Sequence, residues 1–210
     1  MACKKYVKWL CLVVLLVIIY IGYFSPGEHH AVITDVNNYQ KCGVSFVRNG
    51  GFEDAFCFWV SAYSYKHLDG IGRKASRGVC CSLQKNNQRF VLSQDIALDQ
   101  LPGYVLVEGW IRTEKLNSTM KGKSSAAGIG FGCLNPDIER NWKGREIYGQ
   151  LAAYSSKRLS GTNPWTKLSF VAPIHPKTTE IFIEVYAFGT TGEVYFDDVN
   201  VYPVVEKQVQ

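Results

Sequence analysis

The stretch from Tyr104 to Arg112 presents side chains that could bind a polar ligand. Side chains alternate between the two faces of a strand, so the valine and isoleucine residues of this stretch form one face, which we assign to the core. The other face then carries Glu108, Trp110 and Arg112. A flat apolar ring between an acid and a base is a combination typical of ligand recognition.

A second stretch, Ile181 to Phe188, repeats this arrangement with a core face of isoleucine, valine and alanine. Its other face is aromatic and acidic. A third predicted strand, 146–153, adds the phenol of Tyr148 and the amide of Gln150. The candidate ligand-binding residues are Glu108, Trp110, Arg112, Tyr148, Gln150, Phe182, Glu184 and Tyr186.

Glycine occupies every second position of a predicted strand between these stretches. In Ala126–Leu134 one face carries Ile129, Phe131 and Cys133, and the other carries Gly128, Gly130 and Gly132. The second face is therefore almost bare backbone. We expect it to form the floor of a groove with aromatic walls.

Two interpretations of the aromatic face remain open. Aromatic rings stack on the apolar faces of sugar rings, while carboxylate, guanidinium and amide groups bind the hydroxyls, so the face could bind a carbohydrate. Alternatively, the linker, a long loop at Asn135–Arg145 or a partner protein covers the rings.

Catalysis is not predicted. A glycosidase needs two carboxylates across a cleft, and Glu108 with Glu184 is the only pair that alternation assigns to one face. Neither acid belongs to a motif that tunes an acid or base, and no Ser/His/Asp or Cys/His set is present. The alternating glycines lack the following helix that a phosphate site requires.

The elements that must position these residues are short strands. From about Val44 to Tyr202, apolar runs alternate with turns rich in Gly, Asn, Pro and Asp. This pattern predicts an all-β, two-sheet jelly-roll sandwich. The predicted strands are 77–84, 88–95, 104–113, 126–134, 146–153, 167–171, 181–188 and 194–202.

Composition is consistent with one globular domain and an appendage. The 210 residues include 13% aromatic and 20% charged residues, and the net charge is +5 without a basic cluster, so nucleic acid is not an expected partner. Five of the seven cysteines lie beyond the N-terminal segment. One or two disulfides are therefore conceivable, with at least one thiol left over, and no cysteine–histidine spacing suggests zinc.

The N-terminal segment resembles a signal anchor. Lysines precede an uncharged apolar run from Trp9 to Phe24, and Ser25-Pro26-Gly27 ends it. Bulky residues occupy the positions that a signal peptidase would inspect, so we expect a single membrane-spanning helix with the remainder outside the cytoplasm. A cleaved, secreted form is the alternative.

Several motifs resemble those of the jelly-roll carbohydrate-binding modules that are attached to xylanases and cellulases. They occur in the family's order over residues 44–203. They are Asn49-Gly50-Gly51-Phe52-Glu53-Asp54 followed by Trp59, Arg89–Gln94 before Pro102-Gly103-Tyr104, Glu108–Arg112, Trp165–Phe170 and Tyr195–Val199. The resemblance implies a galactose-binding-like β-sandwich that binds sugars without catalysis.

The resemblance also implies a structural calcium ion. Glu53 lies near one end of the domain and the adjacent Asp197 and Asp198 near the other, where the first and last strands would be neighbours. Carboxylate and carbonyl oxygens are the ligands calcium prefers. The alternative is a strand-end turn with solvated acids.

The sequence therefore predicts four segments: a signal anchor (1–24), a linker (25–43), a carbohydrate-binding-module-like domain (44–203) and a polar tail (204–210). The predicted function is that of a non-catalytic, membrane-anchored, extracytoplasmic module that binds an oligo- or polysaccharide. The alternative is a structural or assembly subunit whose aromatic face docks another membrane or cell-surface protein.

Overall fold

The computed structural model describes residues 32–54, 57–61, 66–68, 70–84, 89–118, 126–142, 145–188 and 190–208. The predicted anchor, residues 1–24, and the first part of the predicted linker lie outside these ranges. Within them, no helix is long and apolar enough to cross a membrane.

The described chain is built almost entirely of strands. A single 3-10 turn, Val36–Asn38, precedes them in the described ranges. The strands are β1 (Tyr39–Lys41), β2 (Val60–Ser61), β3 (Lys66–Leu68), β4 (Gly78–Leu83), β5 (Arg89–Ala97), β6 (Tyr104–Ser118), β7 (Ala126–Trp142), β8 (Arg145–Ser155), β9 (Gly161–Pro173), β10 (Glu180–Phe188) and β11 (Thr190–Glu206).

The strands form two antiparallel sheets. Sheet A has the order β2-β5-β10-β7-β8, and sheet B has the order β3-β4-β11-β6-β9, with β1 also paired to β11. Consecutive strands such as β5 and β6 therefore belong to different sheets. The predicted all-β class with two sheets is confirmed.

The core lies between the sheets and is rich in phenylalanine. Phe90 of sheet A stacks on Phe196 of sheet B with ring centroids 5.8 Å apart, so this pair bridges the two sheets. The β6 and β10 faces that alternation assigned to the core are buried. Packing of these apolar faces is the main contribution to the stability of the sandwich.

All eight predicted strands correspond to strands of the structure, but their lengths differ. Residues 135–145, considered as a long covering loop, instead continue β7 to Trp142 and begin β8 at Arg145. The prediction of a loop is wrong, because the backbone of this segment pairs as a hairpin. The sequence shows no sign of these strands, since its polar residues do not alternate with apolar ones. The short strands β1, β2 and β3 were not predicted.

Part of the predicted linker packs on the domain. Ile33 forms a bridge with Val171 on β9, and β1 pairs with β11 at Lys41 and Val204. Between these contacts, residues 32–41 cross the outer face of sheet B above a cluster of Leu106, Val171 and Val204. We call residues 32–41 the N-terminal strap.

The cysteines of the described chain form no disulfide, so the one or two disulfides considered from the sequence are not present there. Cys42 and Cys57 are exposed, whereas Cys80, Cys81 and Cys133 are buried. Burial raises the pKa of the Cys81 thiol to about 12, and the neighbouring Cys80 adds to this effect. The three buried thiols contribute to packing rather than to cross-linking.

Truncation of the ring pair that bridges the sheets should test the core. We expect Phe196→Ala to lower the free energy of unfolding by about 3–5 kcal/mol, because it removes a fully buried ring. Val205→Ala on the same strand should change it by less than about 0.5 kcal/mol, since Val205 is 51% exposed. Urea unfolding of both variants measures the difference, and equal effects would contradict the assigned core.

Candidate functional site

The predicted ligand-binding residues lie on two separate surfaces. Glu108, Trp110 and Arg112 belong to β6 in sheet B, whereas Phe182 and the other β10 residues belong to sheet A. Both groups point away from the core, as alternation predicted. Because the two outer faces lie on opposite sides of the sandwich, the single groove that we expected does not form.

The same separation applies to the two acids considered as a glycosidase pair. Glu108 lies on the outer face of sheet B, and Glu184 lies on the outer face of sheet A. They cannot act on one glycosidic bond, because catalysis requires both carboxylates to flank it.

The outer face of sheet A is formed by side chains of β10 that lie across the glycines of β7. The directly opposed pairs are Phe182 with Gly132, Glu184 with Gly130, and Tyr186 with Gly128. A β-carbon added at Gly128 would lie 2.7 Å from the Tyr186 hydroxyl oxygen. At Gly130 and Gly132 it would overlap the Glu184 carboxylate and the Phe182 ring. The three side chains therefore cover these glycines, which we call the seat glycines. The open glycine floor that we expected is not present.

One end of this face is a packed aromatic pair beside a guanidinium. Tyr186 stacks on Phe188 with centroids 5.3 Å apart, and Arg158 Cζ lies 5.3 Å from the centroid of Phe188. Burial raises the pKa of Tyr186, although the charge of Arg158 opposes this shift. Tyr186 is only 3% exposed, so Phe188, which is half-buried, is the more accessible ring.

The other end combines Phe182 with polar groups from neighbouring strands. Asp95 of β5 lies directly opposite Phe182, and burial of its carboxyl raises its pKa. Gln150 of β8 pairs with Leu134 on the same face. Tyr148 lies farther along β8, opposite Glu139. Its side chain lies outside the described part of the chain.

On the outer face of sheet B, Glu108 binds two lysines. Its carboxylate oxygens lie 2.8 Å from Lys41 Nζ and 2.8 Å from Lys167 Nζ. Burial alone would raise the pKa of Glu108, but hydrogen bonds and charges from the two lysines hold it below its usual value. The Glu108 side chain is only 12% exposed. It therefore joins the N-terminal strap to β6 and β9.

The rings of this face are covered by cations. Arg73 Cζ lies 4.4 Å from the centroid of Trp110, and Arg112 Cζ lies 3.9 Å from that of Tyr195. Arg112 Cζ also lies 5.6 Å from the centroid of Trp165. These cation–π contacts use the ring faces that a ligand would need. The outer face of sheet B is therefore the less accessible of the two candidate surfaces.

The acids predicted to hold calcium contact protein donors. One Asp197 oxygen accepts the backbone N–H of Arg73 at 2.7 Å and the Ser76 hydroxyl at 3.1 Å, and the other accepts the N–H of Asp198 at 2.7 Å. The Arg73 guanidinium lies 2.7 Å from Asp198. These carboxylate oxygens fit a calcium site poorly. The three donors to Asp197 and the guanidinium at Asp198 occupy oxygens that the metal would need.

Glu53 does lie near Asp198, as the predicted adjacency of the first and last strands required. A β-carbon added at Gly51 would lie 3.8 Å from both Asp198 Oδ1 and Glu53 Cγ. No group of three potential metal-ligating Asp, Glu, His or Cys side chains was found among the described residues. Calcium binding stays a prediction.

Solved structures with a similar fold include carbohydrate-binding modules. A family 16 carbohydrate-binding module has a TM-score of 0.52 and 15% identity over 74% of this chain and 98% of that chain. The xylanase 10B CBM22-1-GH10 modules of Clostridium thermocellum, complexed with xylohexaose, have a TM-score of 0.52 and 13% identity. Tailspike protein 4 of bacteriophage CBA120, an enzymatically active domain, has a TM-score of 0.54 and 12% identity.

The chain has the fold of carbohydrate-binding modules. It covers 22% of the tailspike domain and 29% of the xylanase modules, in each case with 77% of its own length. A scan of protein-family models and a search of curated proteins gave no match to this chain. At these identities the similarity establishes the fold alone.

Three residues of the sheet A face, Asp95, Phe188 and Arg158, were not among the predicted site residues. Alternation along β10 assigns Phe188 to the same face as Phe182. Asp95 ends a predicted strand, and alternation with the buried Phe90 and Leu92 would have placed it on the outer face. Arg158 reaches Phe188 from the segment between β8 and β9, for which the sequence offers no comparable signal.

Substitution of a seat glycine should disturb this face. We expect Gly132→Ala to lower the free energy of unfolding by about 1–3 kcal/mol, because the new methyl group would overlap Phe182. Gly103→Ala is the matched control, because no atom lies within 4 Å of an added β-carbon there. It should be neutral or stabilising by up to about 1 kcal/mol. Similar unfolding curves for both variants would contradict the seating of Phe182 on Gly132.

The pKa of Glu108 predicts a pH-dependent contribution to stability. Because folding lowers this pKa, the contribution is complete above the ordinary value of 4.5 and is lost as pH falls through the folded-state value. We therefore expect Glu108→Gln to destabilise the protein at neutral pH and to match the wild type in strong acid. Glu114→Gln, at an exposed ion pair with Arg112, should show almost no effect. A pH-independent deficit in Glu108→Gln would contradict the lysine pairing.

Proposed function

We propose that the protein is a non-catalytic carbohydrate-binding module whose ligand lies on the outer face of sheet A. The observation that carries this proposal is the β10 row, in which Phe182 and Glu184 lie side by side on glycine seats. A half-buried ring next to a carboxylate offers both a stacking surface and hydroxyl acceptors.

The proposed site extends beyond these two residues. Gln150 and Asp95 supply hydrogen-bonding groups near Phe182, and Phe188 with Arg158 forms the opposite end. Side chains held on a central strand keep a fixed spacing, which limits the entropy lost on binding. The similarity of fold to modules such as the family 16 carbohydrate-binding module supports this assignment.

Of the residues predicted from sequence, Phe182, Glu184 and Gln150 remain in the proposed site, together with Tyr148 by its position on β8. Tyr186 has a supporting role, because its ring is buried under Phe188. The three β6 residues would take part only if the opposite face bound the ligand.

We also propose that the N-terminal segment anchors this module at a membrane, with the sandwich outside the cytoplasm. The apolar run ending at Phe24 supports this proposal. Protease treatment of intact cells should release the sandwich as a soluble fragment. Recovery of all the protein in the medium, with an N-terminus near Ser25, would contradict the anchor.

Calcium remains a proposal restricted to Glu53 and the Oδ1 atom of Asp198, which flank Gly51. A metal that binds the folded state alone raises the melting temperature. Identical melting curves in excess calcium and in excess chelator would show that the site does not bind it.

Isothermal titration calorimetry with xylohexaose and other uncharged hexasaccharides tests the sugar-binding proposal. Phe182→Ala should weaken binding by about tenfold or more, equivalent to about 1.4 kcal/mol, because it removes the stacking ring. Trp110→Ala, on the other sheet, should leave the affinity unchanged. Both variants must retain cooperative unfolding for the comparison to be valid.

The opposite result is equally informative. Loss of binding in Trp110→Ala, with normal binding in Phe182→Ala, would place the ligand on sheet B. Absence of binding by the wild type across the panel would contradict the proposed function. The assembly alternative would then be tested by chemical cross-linking of the protein in its native membrane.

A further inference from the structure

Three carboxylates surround Phe182 on the outer face of sheet A. Glu180 and Glu184 lie two residues to either side of it on β10, and Asp95 lies directly opposite it on β5. Residues two apart on a strand are about 7 Å apart, and directly opposed β-carbons are about 5 Å apart. The Phe182 ring lies over Gly132 on β7, so a ligand that covers this ring and extends across β10 to β5 meets all three acids.

The structure describes the surroundings of two of these carboxylates, Glu184 and Asp95. The Glu184 side chain lies across Gly130, because an added β-carbon there would overlap its carboxylate. Asp95 is exposed, but the protein on its other side removes part of the hydration of its carboxyl and raises its pKa. Partial burial weakens the screening of charges by water, so a second negative group nearby would be repelled more strongly than in solution.

Among the described side chains, the cation that contacts a ring of this face is Arg158, toward the other end of β10. Arg158 contacts Phe188 and also acts on the Tyr186 hydroxyl, which lies four residues from Phe182, a separation of about 13 Å along a strand. That distance exceeds the screening length of about 8 Å at physiological ionic strength. Arg158 therefore cannot compensate for an anionic group bound at Phe182.

We propose that Asp95, Glu180 and Glu184 are specificity-determining residues that exclude anionic sugars from Phe182. An uncharged sugar donates its hydroxyl hydrogens to the carboxylates, and these charge-assisted bonds are favourable. A uronate or sulfate group offers no donor at that position and places like charges together. This inference rests on the proposed sugar-binding function and specifies that the ligand is uncharged.

Two matched pairs of oligosaccharides test the inference. The first is cellohexaose with its derivative oxidised to carboxylates at C6, and the second is hexagalacturonate with its methyl ester. Calorimetry with the full-length protein at low salt should give affinities about tenfold or more lower for the charged member, equivalent to at least about 1.4 kcal/mol. High salt should reduce the ratio, because it screens the repulsion.

Charge-neutralising variants assign the effect to these residues. The double variant Asp95→Asn, Glu184→Gln should bring the affinities of charged and uncharged members closer together. Glu114→Gln, on the opposite sheet, removes the same kind of charge elsewhere and should leave the ratio unchanged.

The outcomes separate the inference from the function on which it rests. Equal or tighter binding of the charged member by the wild type would overturn the inference and leave the sugar-binding function standing. An unchanged ratio in the double variant would also overturn it. Failure of both members of both pairs, and of the uncharged hexasaccharide panel, to bind would contradict the sugar-binding function itself.

Discussion

The missing β-carbons at three alternate positions of β7 determine what the outer face of sheet A can be. Directly opposed positions on neighbouring strands are close enough that any side chain at Gly130 or Gly132 would displace its partner on β10. Without a side chain there, Phe182 and Glu184 lie along the sheet and not perpendicular to it. The fixed arrangement of ring and carboxylate, and hence the proposed site, depends on this constraint.

The outer face of sheet B illustrates a different use of similar residues. Its rings also alternate with charged side chains, but Arg73 and Arg112 lie over Trp110 and Tyr195 and occupy their faces. Glu108 is likewise bound to two lysines. Composition alone therefore does not distinguish a binding surface from a surface whose charged and aromatic groups satisfy one another.

Alternation in the sequence predicted the eight longer strands and, for β6 and β10, the direction in which their side chains point. Val107 and Ile183 are buried as predicted, and Trp110 and Phe182 point outward. Alternation could not predict which sheet a strand joins, because membership depends on pairing between distant segments: β5 and β6 are consecutive, yet they lie in different sheets. For that reason the predicted site combined residues from opposite surfaces.

Contacts made by residues outside the strands could not be predicted from alternation either. Arg73 and Arg158 reach their aromatic partners from segments without periodicity, so no repeating pattern indicates where these guanidinium groups will lie. The hydrogen bonds that Asp197 accepts from Arg73 and Ser76 could not be predicted for the same reason. In this region, the resemblance to carbohydrate-binding modules implied only that Glu53 and Asp198 lie near each other.

The N-terminal strap would have a mechanical consequence if the proposed anchor held the chain at its N-terminus. A pull on residue 32 is borne first by the two Ile33–Val171 hydrogen bonds, of 3.0 and 2.9 Å, and then by the apolar contacts beneath the strap. The load reaches sheet B before it reaches the core. The outer face of sheet A, on the opposite side of the sandwich, stays outside the path of the force, so its side chains would keep their spacing while the tether is under tension.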